Sequence, residues 1–406
     1  MGDLRRLVIH NYRCLRDVNF LANNLNVLFG PNGVGKTTFL DALYFVRECA
    51  SRGSAEAASD RHHGIGLLTD NLEPGDERID IGIETQSATY RVTFGYSSGR
   101  IEPFVGEHLL SNTRKLELIS RSIGSEQAAL FHEGFKQTHT IKLPDPERLA
   151  LNNFMLYNPP ESEAMEISGL LKSLHFYSSR SVNFFQLRKL GSESGIHTYP
   201  FDRWQNLWSA LRNLQGRRAV DDRYETIFRY MREAFPGSFK DILLEPLGTE
   251  RVGASFIEFG RRSPIQASGV SDGHLQLLGL LTALFGDTPN RSSILLFDEP
   301  ETSLHPHAIA ILARAIREAA EDWSRQVFVA THSPVLLSQF QPSDVVLATM
   351  DSDRFTTLRR VSEVNELDDL LQHYAIGSLY MTEAVGRQGP NTPDEGPAVP
   401  SKGGGK

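Results

Sequence analysis

Residues 30–38 read Gly-Pro-Asn-Gly-Val-Gly-Lys-Thr-Thr, and no other stretch of the 406-residue chain restricts its fold as tightly. The run before it, Leu25–Phe29 (LNVLF), is short and wholly apolar apart from Asn26. The run after it, from about Lys36 to Glu48, spaces Phe39, Leu40, Leu43 and Val46 by threes and fours, the period of a helix face. A strand that feeds a glycine turn and then a helix is the setting in which GxxxxGK[ST] has a mechanism. Asn32 leads into the cradle, where the backbone N–H groups of Gly33, Val34, Gly35, Lys36, Thr37 and Thr38 would wrap phosphate oxygens while the helix N-terminus adds positive potential. Lys36 would reach the β and γ phosphates, and the Thr37 hydroxyl would bind Mg²⁺. Average residue frequencies make a chance match in a chain this long about one per cent, so the motif predicts nucleotide binding.

A phosphate cradle serves kinases, GTPases and ATPases alike, and the choice falls to what lies downstream. Ile294–Pro300 (ILLFDEP) is an apolar strand ending in two carboxylates, the Walker B pattern. Asp298 at the strand end can hold Mg²⁺ through water, and Glu299 can align and deprotonate an attacking water. Ser271-Asp272-Gly273-His274 precedes an apolar helix over Leu275–Leu284, offering a hydroxyl, close backbone approach and a helix N-terminus for a γ-phosphate. Val327–Pro334 (VFVATHSP) is a buried strand that delivers His332 at its carboxyl end, where doubly wound sheets bind ligands.

Taken in order, GPNGVGKTT, SDGH, LLFDEPETSLHP and ATHSP resemble an ABC-type ATPase of the RecF/SMC/OLD class, and within it the compact bacterial ATPases with SDG signatures and EPExxLHP loops. The resemblance runs to about Gly386 and includes LVIHNYRCLRDVNF near the start and the late YAIGSLY segment. It implies an α/β P-loop fold, an ATPase head of mixed and parallel sheets with an inserted helical lobe, and ATP with Mg²⁺ as ligands. It also implies that Ser271 and Gly273 contact a γ-phosphate held by a second subunit, that Glu301–Leu304 is the D-loop, that His332 is the switch histidine, and that Arg13 approaches the nucleotide phosphates.

The departures narrow it further. The signature lies 235 residues beyond Lys36, against roughly a hundred in transporter ATPases, which argues against a transporter subunit. The long coiled coil and CxxC hook of SMC-like proteins are missing, and only about 70 residues follow His332, so no OLD-type nuclease domain is expected. The Q-loop glutamine cannot be placed: Gln86 comes early, and the strand ending at Tyr177-Ser-Ser-Arg180 sits where the loop belongs but holds no glutamine.

Around these motifs the expected layout is a single head over 1–386. An N-terminal lobe (1–180) carries strands over Leu7–Ile9, Ile79–Glu84, Ala88–Phe94 and Leu116–Ile123, with an exposed loop over Ser51–Gly66. A helical insertion with return strands occupies 181–265. There Trp204, Leu207, Trp208, Leu211 and Leu214 share one helical face, and Tyr224, Ile227, Phe228, Met231 and Phe235 share another. The signature, Walker B, D-loop and switch histidine fill 266–386. Six glycines and four prolines in the last 21 residues predict a disordered tail over 387–406.

A net charge of −8 provides no global field for nucleic acid, so DNA contact would need a local patch such as Arg188-Lys189, Arg217-Arg218 or Arg261-Arg262. Two cysteines, Cys14 and Cys49, make neither a disulfide framework nor a CxxC zinc site and fit a reducing compartment; no run is long enough to span a membrane, and a cytoplasmic protein is expected. The resemblance implies a switch that homodimerises around Mg·ATP in DNA repair or defence against foreign DNA. The alternative is an ATP-gated module that controls a separately encoded effector such as a nuclease without touching DNA.

Overall fold

The computed structural model describes residues 3–363 except 71, 73–74, 159–162 and 289–292. The tail expected after Gly386 and the YAIGSLY segment lie outside the described residues. The chain opens with the hairpin β1 (Arg6–Tyr12) and β2 (Leu15–Leu21), then β3 (Leu25–Phe29) and α1 (Lys36–Arg52). All five residues of β3 are buried, as in a strand covered on both faces. α1 buries Phe39, Leu40, Leu43 and Val46 and continues one turn past Glu48.

The stretch expected to be an exposed loop instead forms α2 (Ser54–Ser59), with Ser54, Ala57 and Ala58 buried. Arg61, just beyond, explains why. Its guanidinium donates to Glu48 and Asp41 of α1, both at 2.7 Å. Ion pairing with a neighbouring helix, invisible to any apolar period, holds this segment down.

Next come β4 (Arg78–Glu84), β5 (Ala88–Ser97), β6 (Arg100–Ile101), β7 (Gly106–Ser111), β8 (Leu116–Arg121), β9 (Gln127–His132) and β10 (Gln137–Lys142). They join β1 and β2 in an antiparallel sheet of order β10-β9-β8-β7-β5-β4-β1-β2, with β6 beside β5. β8 stops two residues short of the expected Ile123. α3 (Ala150–Tyr157) and α4 (Glu163–Lys172) lead to β11 (Leu174–Ser178).

α5 (Phe184–Lys189), β12 (Ser192–Glu193), α6 (Leu207–Arg217), α7 (Arg223–Ala234), β13 (Phe239–Leu247), β14 (Arg251–Glu258) and β15 (Ile265–Gln266) make the inserted lobe. α6 buries Leu207, Trp208, Leu211 and Leu214, and α7 buries Tyr224, Ile227, Phe228 and Met231, while Phe235 is the half-buried C-cap beyond α7. Trp204 is an exception: it precedes α6 in a left-handed turn (φ 58°) and fills the space left by Gly279, where an added Cβ would come within 2.5 Å of the indole.

The last third alternates α8 (Asp272–Phe285), β16 (Ser293–Asp298), α9 (Pro306–Asp322), β17 (Arg325–Thr331), α10 (Pro334–Leu337), β18 (Val345–Met350) and β19 (Thr356–Arg360). The central sheet runs β11-β16-β17-β3-β18-β19, parallel except for the β18/β19 hairpin. Alternate side chains feed two separate cores. Val27, Phe29, Leu295, Phe297, Val327 and Val329 pack against the inserted lobe, α8 and α9. Leu28, Ile294, Leu296, Phe328 and Ala330 pack against α1 and the antiparallel sheet. Burial on both faces is why these strands are continuous apolar runs with no polar alternation.

Candidate functional site

The parallel register lines up the carboxyl ends of four strands. Phe29 pairs with Thr331, Ala330 with Asp298, and Asp298 with Ser178. Everything beyond these ends opens on one rim, the place where open α/β sheets bind ligands.

The phosphate loop leaves β3 at Gly30. Gly33 and Gly35 adopt left-handed backbone at φ 82° and 95°, which leaves the loop free to turn its N–H groups toward one centre. A Cβ on Gly33 would meet nothing within 4 Å, so this side of the loop faces open space. The other side is packed. A Cβ on Gly30 would lie 2.2 Å from the Ala348 carbonyl, and one on Gly35 would lie 2.3 Å from Thr356 Oγ1 and 2.8 Å from Cys14 Sγ. Thr356 Oγ1 donates to the Val34 carbonyl at 2.9 Å. The β18–β19 hairpin is therefore the floor of the loop. Asn32, Gly33 and Thr37 are exposed on the rim, while Val34, Gly35 and Lys36 are buried and Thr38 is half-buried. No acidic side chain stands in the first turn of α1 to compete for its unpaired N–H groups.

The Lys36 ammonium donates to the carbonyls of Gly30 (2.8 Å) and Pro31 (2.7 Å), which hold it across the loop mouth. Burial lowers its pKa, opposed by the charges of Glu299, Asp298 and Glu301. The Thr37 hydroxyl donates to Asp298 Oδ1 at 2.7 Å, and the Ser178 hydroxyl to Oδ2 at 3.2 Å. Asp298 is 3% exposed, and burial raises its pKa against those two hydrogen bonds. A hydroxyl and a carboxylate, both hard oxygen donors, fit Mg²⁺, which keeps much of its shell for water and phosphate. Among the described residues no group of three or more His, Cys, Asp and Glu could hold a metal by itself, and this two-oxygen set asks for none.

Glu299 takes a left-handed backbone (φ 51°), the kind of local strain that collects at functional sites. Its Oε1 lies 3.1 Å from Arg180 Nη2 and 3.5 Å from His332 Nδ1. Glu299 and His332, far apart in sequence, are thus side by side on the rim. Behind them Glu301 is buried, accepts from the Thr331 hydroxyl, and has its pKa raised by desolvation.

Arg13 sits in the left-handed turn between β1 and β2, 3.6 Å from Asp41. Together with Thr37, Asp41, Tyr44, Arg61 and Ser178 it lines a polar cavity of 540 Å³ next to the phosphate loop. Ser271 and Gly273 stand elsewhere, at the head of α8. Ser271 is its N-cap, and Gly273 lets the Ser303 carbonyl close in, since a Cβ there would sit 2.8 Å from that oxygen. Arg188 donates to Val270 O at 2.7 Å and to Asp272 at 2.6 Å. Ser178 ends β11 and Arg180 stands in the turn just after it, where the sequence offers no glutamine, and the register of β11 on β16 brings them to the two carboxylates.

A model of the AAA_21 family ("AAA domain, putative AbiEii toxin, Type IV TA system") matches residues 25–338. The chain belongs to this family. It is an ABC-type ATPase of the RecF/SMC/OLD class by sequence and fold. It is 51% identical over 53 residues to the DNA replication and repair protein RecF of Bacteroides fragilis, covering 13% of this chain and 14% of that one. It is 46% identical over 43 residues to the OLD nuclease of Thermus scotoductus, 11% of this chain and 8% of that one. The chain thus matches only a small fraction of these relatives' length. Among solved structures, the Smc head bound to the C-winged helix domain of ScpA superposes with a TM-score of 0.51 at 13% identity, over 89% of this chain and 99% of that chain. At that identity the likeness is one of fold. No helix among the described residues is long and apolar enough to cross a membrane.

Proposed function

We propose that this ABC-type ATPase binds and hydrolyses ATP as a molecular switch, closing a head-to-tail homodimer around two Mg·ATP and reopening on hydrolysis. The observation that carries the reading is the convergence of Thr37 on Asp298, with Glu299 one residue further along the same rim and His332 beside it. Mg²⁺ held by the Thr37 hydroxyl and the Asp298 carboxylate would supply charge neutralisation for the β and γ phosphates. Lys36 and the N–H groups from Gly33 to Thr38 bind and orient the phosphate chain. Glu299 takes the proton of the attacking water, and His332 keeps that carboxylate facing the rim. Ser271 and Gly273 complete the site of a second subunit.

Lys36→Ala should abolish nucleotide binding, whereas Glu299→Gln should bind ATP and retain it through gel filtration, because the first removes the cation that meets the phosphates and the second only the base. Hydrolysis by Glu299→Gln at the parent rate would refute the assignment of the base.

The setting proposed is DNA repair, in line with the relatives named as DNA replication and repair proteins, or defence against foreign DNA. A second reading, in which the ATPase gates a separate effector such as a nuclease without binding DNA, is favoured by one observation. One arginine of each basic pair singled out in the sequence is ion-paired internally: Arg188 with Asp272, Arg217 with Asp287 and Arg261 with Glu258. Salt-dependent DNA affinity of the ATP-bound protein would select the first reading, and its absence the second.

A further inference from the structure

Ser271 uses its side chain within its own turn. Its Oγ accepts the His274 backbone N–H at 3.5 Å, capping α8, and lies 2.7 Å from Nδ1 of the His274 ring. That ring lies flat on Phe235, centroids 3.7 Å apart and planes 16° from parallel. Its Nε2 is buried and meets no hydrogen-bond partner among the described residues. Burial also lowers the pKa of the imidazole, which favours its neutral form with a single N–H.

The position of that one hydrogen decides what Ser271 can do. On Nε2 it would be a buried donor with nothing to meet, an arrangement folded proteins rarely tolerate. Ser271 would then have to spend its hydroxyl hydrogen inward, on Nδ1. On Nδ1 the hydrogen is donated to Ser271 Oγ, which then accepts from both the ring and the backbone. The serine's own hydrogen is left pointing outward from an exposed turn. Arg188, gripping Val270 and Asp272 on the other side of the turn, keeps the backbone from following.

We propose that His274 is a positioning residue that sets Ser271 as an outward hydrogen-bond donor toward the γ-phosphate held by a second copy of this chain. This rests on the dimeric reading given above. The experiment measures the ATP-dependent dimer by light scattering in the Glu299→Gln background. His274→Phe keeps the stack on Phe235 and removes the donor; His274→Asn puts an amide N–H close to where Nδ1 stands. With two symmetric sites affected, His274→Phe should weaken the dimer about tenfold, and His274→Asn should stay within about threefold of the parent. Both should melt as the parent does. Ser271→Ala should lose as much as His274→Phe, and the double variant no more than either. A dimer indifferent to His274→Phe, an Asn variant as weak as Phe, or additive losses would overturn the assignment of His274 alone. A Glu299→Gln parent that never dimerises with ATP would overturn the dimeric reading and this assignment with it.

Discussion

Thr356→Val tests whether the hairpin under the phosphate loop shapes nucleotide affinity or merely fills space. Thr356 is 3% exposed; its backbone N–H donates to Cys14 O at 2.9 Å, and its hydroxyl donates to Val34 O at the same distance. Valine keeps the volume and the backbone bond and deletes only the hydroxyl. The Val34 carbonyl then loses a donor in a buried place, a cost of about 1–3 kcal/mol if it stays buried and about 1 kcal/mol if the loop shifts to find water. Either way the loop is held less firmly in the conformation that aims its N–H groups. We expect nucleotide affinity to fall about tenfold, the equivalent of about 1.4 kcal/mol, and the melting temperature to fall by a few degrees. A fluorescent ATP analogue titrated into the Glu299→Gln background gives the affinity without turnover, and Thr356→Ser should recover most of it. A lowered melting temperature with unchanged affinity would show that the hydroxyl supports the fold alone and that the loop holds its shape without it.

Asp298→Asn should raise the melting temperature of the nucleotide-free protein while abolishing Mg²⁺-dependent binding. Its carboxyl pKa is raised in the fold from 3.8 by burial, so its contribution is fully present at low pH and lost as pH climbs through the raised value; the gain should accordingly shrink in melts run below about pH 4, and an unchanged gain at all pH would contradict the cause given. His175, buried and pushed from 6.5 to about 3 by desolvation, stays neutral in the fold. Its penalty is absent above pH 6.5 and grows as pH falls toward 3, so His175→Gln should flatten the acid side of the stability profile over that window, and an identical acid limb would count against it.

The central sheet and its motifs were legible because they are local. β3, α1, β16 and β17 each carry an uninterrupted apolar run or a 3.6 period, and the glycine turn and paired carboxylates lie at their ends in the sequence itself. The parts that escaped depend on partners far away. α2 has only Ala57 and Ala58 to mark it as buried, too little for a period, and its anchor is an arginine reaching back to Asp41 and Glu48. Trp204 shares the spacing of a helical face but stands in a left-handed turn, because the indole's place is set by Gly279 of α8 rather than by α6. Ser178 and Arg180 carry no family residue type, and nothing short of the β11–β16 register could bring them to Asp298 and Glu299.

The floor under the phosphate loop also orders events during synthesis. Val34 receives its Thr356 hydroxyl from a residue 322 positions later, and at roughly 5–20 residues per second a ribosome needs about 15–65 s to supply it. Over that interval a nascent chain carries the whole GPNGVGKTT motif with neither Thr356 nor Ala348 beneath its glycines. Whatever part of the loop's shape depends on this floor is therefore set only when nearly all of the described fold has been made.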